Sequence, residues 1–164
     1  MRLEPGQIDW QVINDGVMGG RSRSSVSLDE QGLHFRGVLS TAFGGGFASI
    51  RGRLPRPLGP FEAFRLELRG DGRRYQLRLR ESSHSEDVAW RAFFDTSGAQ
   101  ETIILAAGDF EPVIRGRRIE ALPGLNDREL LYIGFMLTSE QEGEFGLSVK
   151  SIATVEASDG DACS

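Results

Sequence analysis

A two-residue alternation of apolar and polar side chains, broken again and again by glycine, constrains this chain more than any other feature. Phe64, Leu66 and Leu68 alternate with Arg65, Glu67 and Arg69, and Tyr75, Leu77 and Leu79 alternate with Arg74, Gln76, Arg78 and Arg80. This is the period of a strand with one buried face, whereas no window of about 11 residues sustains the spacing of an amphipathic helix. The pattern predicts strands at Ile8–Ile13, Arg23–Leu28, Leu33–Ser40, Gly46–Leu54, Phe64–Arg69, Arg74–Arg80, Ala89–Asp95, Glu101–Leu105, Leu130–Thr138 and Gly143–Val155. Short strands separated by Gly, Pro and Asp read as an all-β fold, an antiparallel β-sandwich or barrel. Pro55, Pro57 and Pro60 mark one connection, and Leu122-Pro123-Gly124 marks another. The stretch Ala106–Glu129 carries no clear period and is expected to cross between sheets, with room for one helical turn.

The length of 164 residues suits one domain, read as residues 1–155, followed by a small acidic tail, 156–164, expected to be disordered. Glu4, Pro5 and Asp9 stand where a secretory leader needs apolar residues, and no Arg-rich transit peptide is seen. No stretch approaches the length of a membrane span, so no direct membrane insertion is expected. The single cysteine, Cys163, permits neither an intrachain disulfide nor a Cys-based zinc site. A cytoplasmic location is the expectation.

One hairpin is predicted in register. A two-residue Asp71-Gly72 turn of type I′ would pair Leu68 with Tyr75, Leu66 with Leu77 and Phe64 with Leu79. On the opposite face the same register sets Arg65 against Arg78 and Arg69 against Arg74. Like charges so placed destabilise a ladder by a few tenths to about 1 kcal/mol each. Carboxylates such as Asp95 or Glu101 on a neighbouring strand would offset this; left open, the face would suit an acidic partner.

The charge is uneven beneath a net value of -5. Residues 51–80 hold nine Arg against Glu62, Glu67 and Asp71, whereas 81–112 hold seven acids against Arg91 alone. Adjacent blocks of opposite sign suggest mutual neutralisation in the fold. The acidic pI of about 5.1 argues against nucleic acid as a partner.

No catalytic constellation stands out. His34 and His84 are far apart and share no pattern, and no Gly-x-Ser-x-Gly elbow accompanies them. The loop Ser82-Ser83-His84-Ser85-Glu86-Asp87 matches no metal-loop spacing, so no metal site is predicted. Gly44-Gly45-Gly46 lacks the Gly-Lys-Ser/Thr of a phosphate loop and precedes a strand, and neither Gly19-Gly20 nor Gly70-Asp71-Gly72 gives a dinucleotide fingerprint. All three read as turns or bulges, Arg115-Gly116-Arg117-Arg118 reads as an exposed basic loop, and no cofactor is expected.

Several segments nevertheless carry a resemblance. Trp10-Gln11-Val12-Ile13-Asn14-Asp15-Gly16-Val17-Met18-Gly19-Gly20-Arg21-Ser22 resembles the opening signature of the complex I intermediate-associated protein family. Phe35-Arg36-Gly37-Val38-Leu39-Ser40 and Gly45-Gly46-Phe47-Ala48-Ser49-Ile50-Arg51 resemble its second block, and Gly70–Tyr75, Arg115–Arg117 and Ile133–Leu137 fall where later blocks would. The resemblance implies a galactose-binding-domain-like jelly roll. It also implies a non-catalytic assembly or chaperone role toward protein partners, subunits of a membrane oxidoreductase (the respiratory NADH:ubiquinone oxidoreductase) among them. The absence of a transit peptide points to a bacterial stand-alone member, and Ala42-Phe43-Gly44-Gly45, where similar members often carry Asn before the paired Gly, is a departure that leaves the fold intact.

Candidate site residues follow in two groups. Asn14, Asp15, Met18, Ser22, Ser49 and Arg51 are expected to line one end of the sandwich, where its loops gather. Arg65 and Arg78 represent the Arg-bearing face. The fold the resemblance implies also permits a second reading, a carbohydrate or small-molecule binding module. That reading needs exposed aromatic platforms, for which Trp10, Tyr75, Trp90 and Tyr132 are the available Trp and Tyr.

Overall fold

The computed structural model of the chain describes residues 2–14, 23–40, 46–82, 88–114, 117–119, 125, 129–138 and 143–156. Strands occupy β1 Arg2–Leu3, β2 Gln11–Asn14, β3 Arg23–Asp29, β4 Gly32–Leu39, β5 Phe47–Leu58, β6 Phe61–Arg69, β7 Arg74–Arg80, β8 Ala89–Asp95, β9 Gln100–Ala106, β10 Glu111–Ile114, β11 Arg117–Arg118, β12 Leu130–Thr138 and β13 Gly143–Glu156. Every predicted strand is present. Among its described residues the unassigned stretch Ala106–Glu129 contains β10, β11 and a 3-10 turn, Ala107–Asp109.

Among the described residues all strand pairs are antiparallel, and they form two sheets. One runs β3-β4-β13-β6-β9, with β1 added along β13, and the other runs β11-β10-β8-β7-β12-β5-β2. Inward rows meet between them. Leu33, Phe35, Leu66, Leu68, Leu147 and Ile152 from the first sheet and Ile50, Tyr75, Leu77, Leu79, Ile133 and Phe135 from the second are all essentially without solvent contact. The architecture is an antiparallel β-sandwich of the jelly-roll, galactose-binding-like kind.

The predicted hairpin is not there. β6 pairs with β13 and β9, while β7 pairs with β12 and β8, so the two strands lie in different sheets. Gly70–Arg73 is an arch that steps across the interior, about 10 Å between packed sheets, instead of a turn between hydrogen-bonded neighbours. The alternation could not tell these apart: two apolar rows that face each other across a core carry the same pattern as two rows sharing one face. Tertiary bonds hold the arch. The Gly72 amide donates to Thr96 Oγ1 (3.0 Å), and that hydroxyl donates to the Arg73 carbonyl (2.7 Å). Asp71 accepts from the Tyr75 hydroxyl (3.0 Å) and from the Gly146 amide on β13 (2.9 Å). Gly70 is obligatory for a local reason, since a Cβ there would lie 2.3 Å from Thr96 Cβ.

Arg65 and Arg78 therefore do not oppose each other. Arg65 is exposed on the outer face of the six-stranded sheet between Ile104 and Ala153, and Arg78 lies on the outer face of the other sheet. Pro55 and Pro57 are likewise inside β5, which continues past the predicted connection to Leu58. Prolines lack the ladder donor, and they sit where the β5–β12 register shifts between Leu130 and Tyr132.

Candidate functional site

The outer face of the seven-stranded sheet gathers Arg51, Arg53, Arg78, Arg80 and Arg91 into rows. Register across the sheet aligns Gln11, Arg51, Gly134, Arg78 and Arg91, and the next row aligns Ile13, Ser49, Met136, Gln76 and Phe93. A third row brings Arg53, Tyr132 and Arg80 together. Arg51 on β5 and Arg78 on β7 flank β12, so their backbones stand about 9–10 Å apart, two strand spacings. Gly134 between them has no side chain. Its smallness is also structural, because a Cβ would approach the Ile50 carbonyl oxygen to 2.6 Å.

The result is a depression of about 140 Å³, floored by Gly134 and lined by Arg51, Arg78 and Arg80 on its basic side and Ile13, Phe47 and Met136 on its apolar side. Arg78 donates to Gln76 Oε1 (2.7 Å) and approaches Met136 Sδ (3.6 Å). Burial, followed by the charges of Arg80, Arg91 and Arg51, lowers the Arg78 guanidinium to about 10. Burial also lowers Arg51, whose guanidinium lies 5.9 Å from the centre of the Tyr132 ring. Carboxylates occupy the margins instead. Glu111 takes Arg91 (3.1 Å) and Arg118 (3.3 Å), and Asp95, as expected from sequence, stands near Arg74 (3.7 Å). Among the described residues no carboxylate forms an ion pair with Arg51 or Arg78. Phe93 lies under both Arg74 and Arg91, at 4.5 and 5.0 Å.

The structure thus regroups the predicted site residues. Ser49, Arg51 and Arg78 come together, from both of the expected groups, while Arg65 is on the far sheet. Ser49 is nearly buried and donates its hydroxyl to the Ile13 carbonyl, which ties β2 to β5. Asn14 pairs with Ala48 at the end of β2. Asp15, Met18 and Ser22 lie outside the described residues, as does His84. Arg80, Met136 and Tyr132 were not singled out with the site, because only the pairing of β12 between β5 and β7 places them there. Of the four Trp and Tyr, Trp10, Tyr75 and Trp90 are buried and Tyr132 is partly exposed on the arginine-bearing face.

A second polar cluster lies on the outer face of the six-stranded sheet. One His34 nitrogen, Nδ1, is 2.8 Å from Ser148 Oγ, and Nε2 is 2.8 Å from Asp29 Oδ1. These are the residue types of a hydrolytic triad, but β4 and β13 each have neighbours on both sides. Their amides serve the ladders, and an oxyanion hole needs convergent donors. Among the described residues no group of three or more His, Cys, Asp or Glu is placed to hold a metal ion. No helix among the described residues is long and apolar enough to cross a membrane.

The fold has solved counterparts. It is similar to the family 11 carbohydrate-binding module of a cellulosomal cellulase of Clostridium thermocellum, with 14% identity, TM-score 0.67, and coverage of 96% of this chain and 94% of that one. The same module in complex with a β-1,3-1,4-mixed-linked tetrasaccharide aligns at 14% identity and TM-score 0.66, over 95% of each chain. A family 29 carbohydrate-binding module aligns at 13% identity and TM-score 0.54, over 93% of this chain and 85% of that one. At such identities the likeness is one of fold. No curated protein matches the chain. The family model for complex I intermediate-associated protein 30 matches residues 4–149, nearly the whole sequence, and the chain belongs to that family.

Proposed function

We propose that this protein is a non-catalytic docking module that acts as an assembly factor, holding a protein partner against the outer face of its seven-stranded sheet. Family membership over residues 4–149 supports the assembly reading and the kind of partner, subunits of a membrane oxidoreductase. The observation that carries the choice of face is the half-buried guanidinium pair Arg51 and Arg78, with no described carboxylate in an ion pair with either. Desolvated cations destabilise a fold unless something compensates them, and a binding partner is the natural compensation. Affinity purification of the tagged protein in mild detergent should recover oxidoreductase subunits. Recovery of none, with the protein folded and at native abundance, would overturn the reading.

Carbohydrate binding is the second reading, supported by the shared fold and by Tyr132 on the same face. With Trp10, Tyr75 and Trp90 buried, it would rest on a single stacking ring of the Trp or Tyr type. Retardation of the protein in gels containing mixed-linkage glucan, abolished by Tyr132→Ala, would favour it over docking.

A further inference from the structure

Resting on that reading, we propose that the cleft between Arg51 and Arg78 is a carboxylate-binding subsite for an acidic side chain of the partner polypeptide, whose adjacent apolar side chain lies against Ile13, Phe47 and Met136.

Three features lead to this chemistry. The two guanidiniums rise from strands on either side of β12, and Gly134 leaves open floor between them. A carboxylate entering there can accept from both, and charge-assisted bonds of this kind are stronger than neutral ones. Arg78 is also crowded by like charge, since Arg80, Arg91 and Arg51 all act against its protonated form. An entering anion would relieve that repulsion. Finally, the basic wall meets an apolar one within about 140 Å³, a volume suited to a pair of side chains.

The surroundings favour a polypeptide over a nucleic acid. Asp95 and Glu111 stand on the same face, on β8 and β10, and the whole chain carries a net charge of -5. A continuous phosphate backbone would meet these acids, whereas one or two carboxylates seated in the cleft would not. Apolar residues beside an Arg pair also match the mixed character of a protein-interface core.

The probe for the test is an N-acetylated, C-terminally amidated peptide of alternating Glu and Leu, titrated into the whole protein while the Arg Nε–H signals are followed by NMR. Its Gln–Leu counterpart and a single-stranded oligothymidine serve as comparisons. Saturable binding of the Glu peptide is expected, with the signals of Arg51 and Arg78 shifting and the Gln peptide weaker. Arg51→Gln and Arg78→Gln should each weaken it about ten-fold, whereas Arg65→Gln on the other sheet should leave it unchanged. Cooperative melting of each variant shows that it is folded. Equal binding of the Gln peptide, an equal effect of Arg65→Gln, tighter binding of the oligothymidine, or no saturation by about 1 mM would each overturn the subsite. Co-purification separates the two levels. Oxidoreductase subunits retained undiminished by Arg51→Gln with Arg78→Gln overturn the subsite and leave the docking role intact, whereas failure of the unaltered protein to recover them overturns the docking role.

Discussion

Arg51 and Ser49 stand two positions apart on β5 and face the same way, yet they are bound into the molecule differently. The serine hydroxyl is committed to the Ile13 carbonyl. The Arg51 guanidinium has a ring beside it and loses hydration through burial. A cation in that state is a cost to folding, reduced by the solvent that still reaches it, so Arg51→Met should raise stability by up to about 1 kcal/mol while weakening binding at least about ten-fold. Urea unfolding checks the first effect and the peptide titration checks the second. A fall in stability would mean that Arg51 supports the sheet. Asp29 offers a test by pH. Its carboxyl is held below its ordinary value, chiefly by the hydrogen bond with His34 and then by the Gln31 amide. A carboxyl lowered on folding contributes stability above its unfolded value near 3.8, and loses it as pH falls through the folded value. Asp29→Asn should therefore flatten the acid limb of a melting-temperature profile below about pH 4 and change nothing at pH 7 beyond a constant offset. An unchanged acid limb would refute the pairing.

At the scale of elements the arch between β6 and β7 shows what the alternation leaves open. Phe64, Leu66 and Leu68 form one buried row, as the alternation predicts, and Tyr75, Leu77 and Leu79 form another. They are not hydrogen-bonded neighbours: the chain crosses between the sheets in an arch fastened by Thr96, more than twenty residues away. That side chain satisfies the Gly72 amide and the Arg73 carbonyl together. Thr96→Val keeps the shape but strips both side-chain bonds, leaving the Gly72 amide without its acceptor while the Arg73 carbonyl keeps the Thr96 backbone amide (3.2 Å). The expected loss is about 1–2 kcal/mol in urea unfolding, with the sandwich retained. A loss under about 0.5 kcal/mol would mean that the arch stands without Thr96. The prolines of β5 make a related point. Pro55 and Pro57 looked like a break, yet the strand absorbs them where its ladder with β12 shifts.

At the scale of the whole molecule, the two sheets separate residues that a hairpin would have joined. Arg65 and Arg78 now lie on opposite outer faces with the core between them. Their substitutions should therefore act independently: Arg65→Glu and Arg78→Glu combined should change stability by the sum of the single effects, within about 0.5 kcal/mol. Coupling well beyond that would restore the side-by-side arrangement. Separation also changes the functional logic, because only Arg78 belongs to the cleft and only its substitution should touch binding. The positions of ten of the thirteen described strands, the all-β class and the family signature could be read from the amino-acid order, since alternation, turn residues and motifs are local and each longer strand records which of its faces is buried. Which strands are neighbours could not, because every inward row in a sandwich is apolar and any two of them would match. The close packing of the sheets decided it, and by seating β12 between β5 and β7 it brought Arg51, Arg78, Arg80 and Met136 from distant parts of the chain to one cleft.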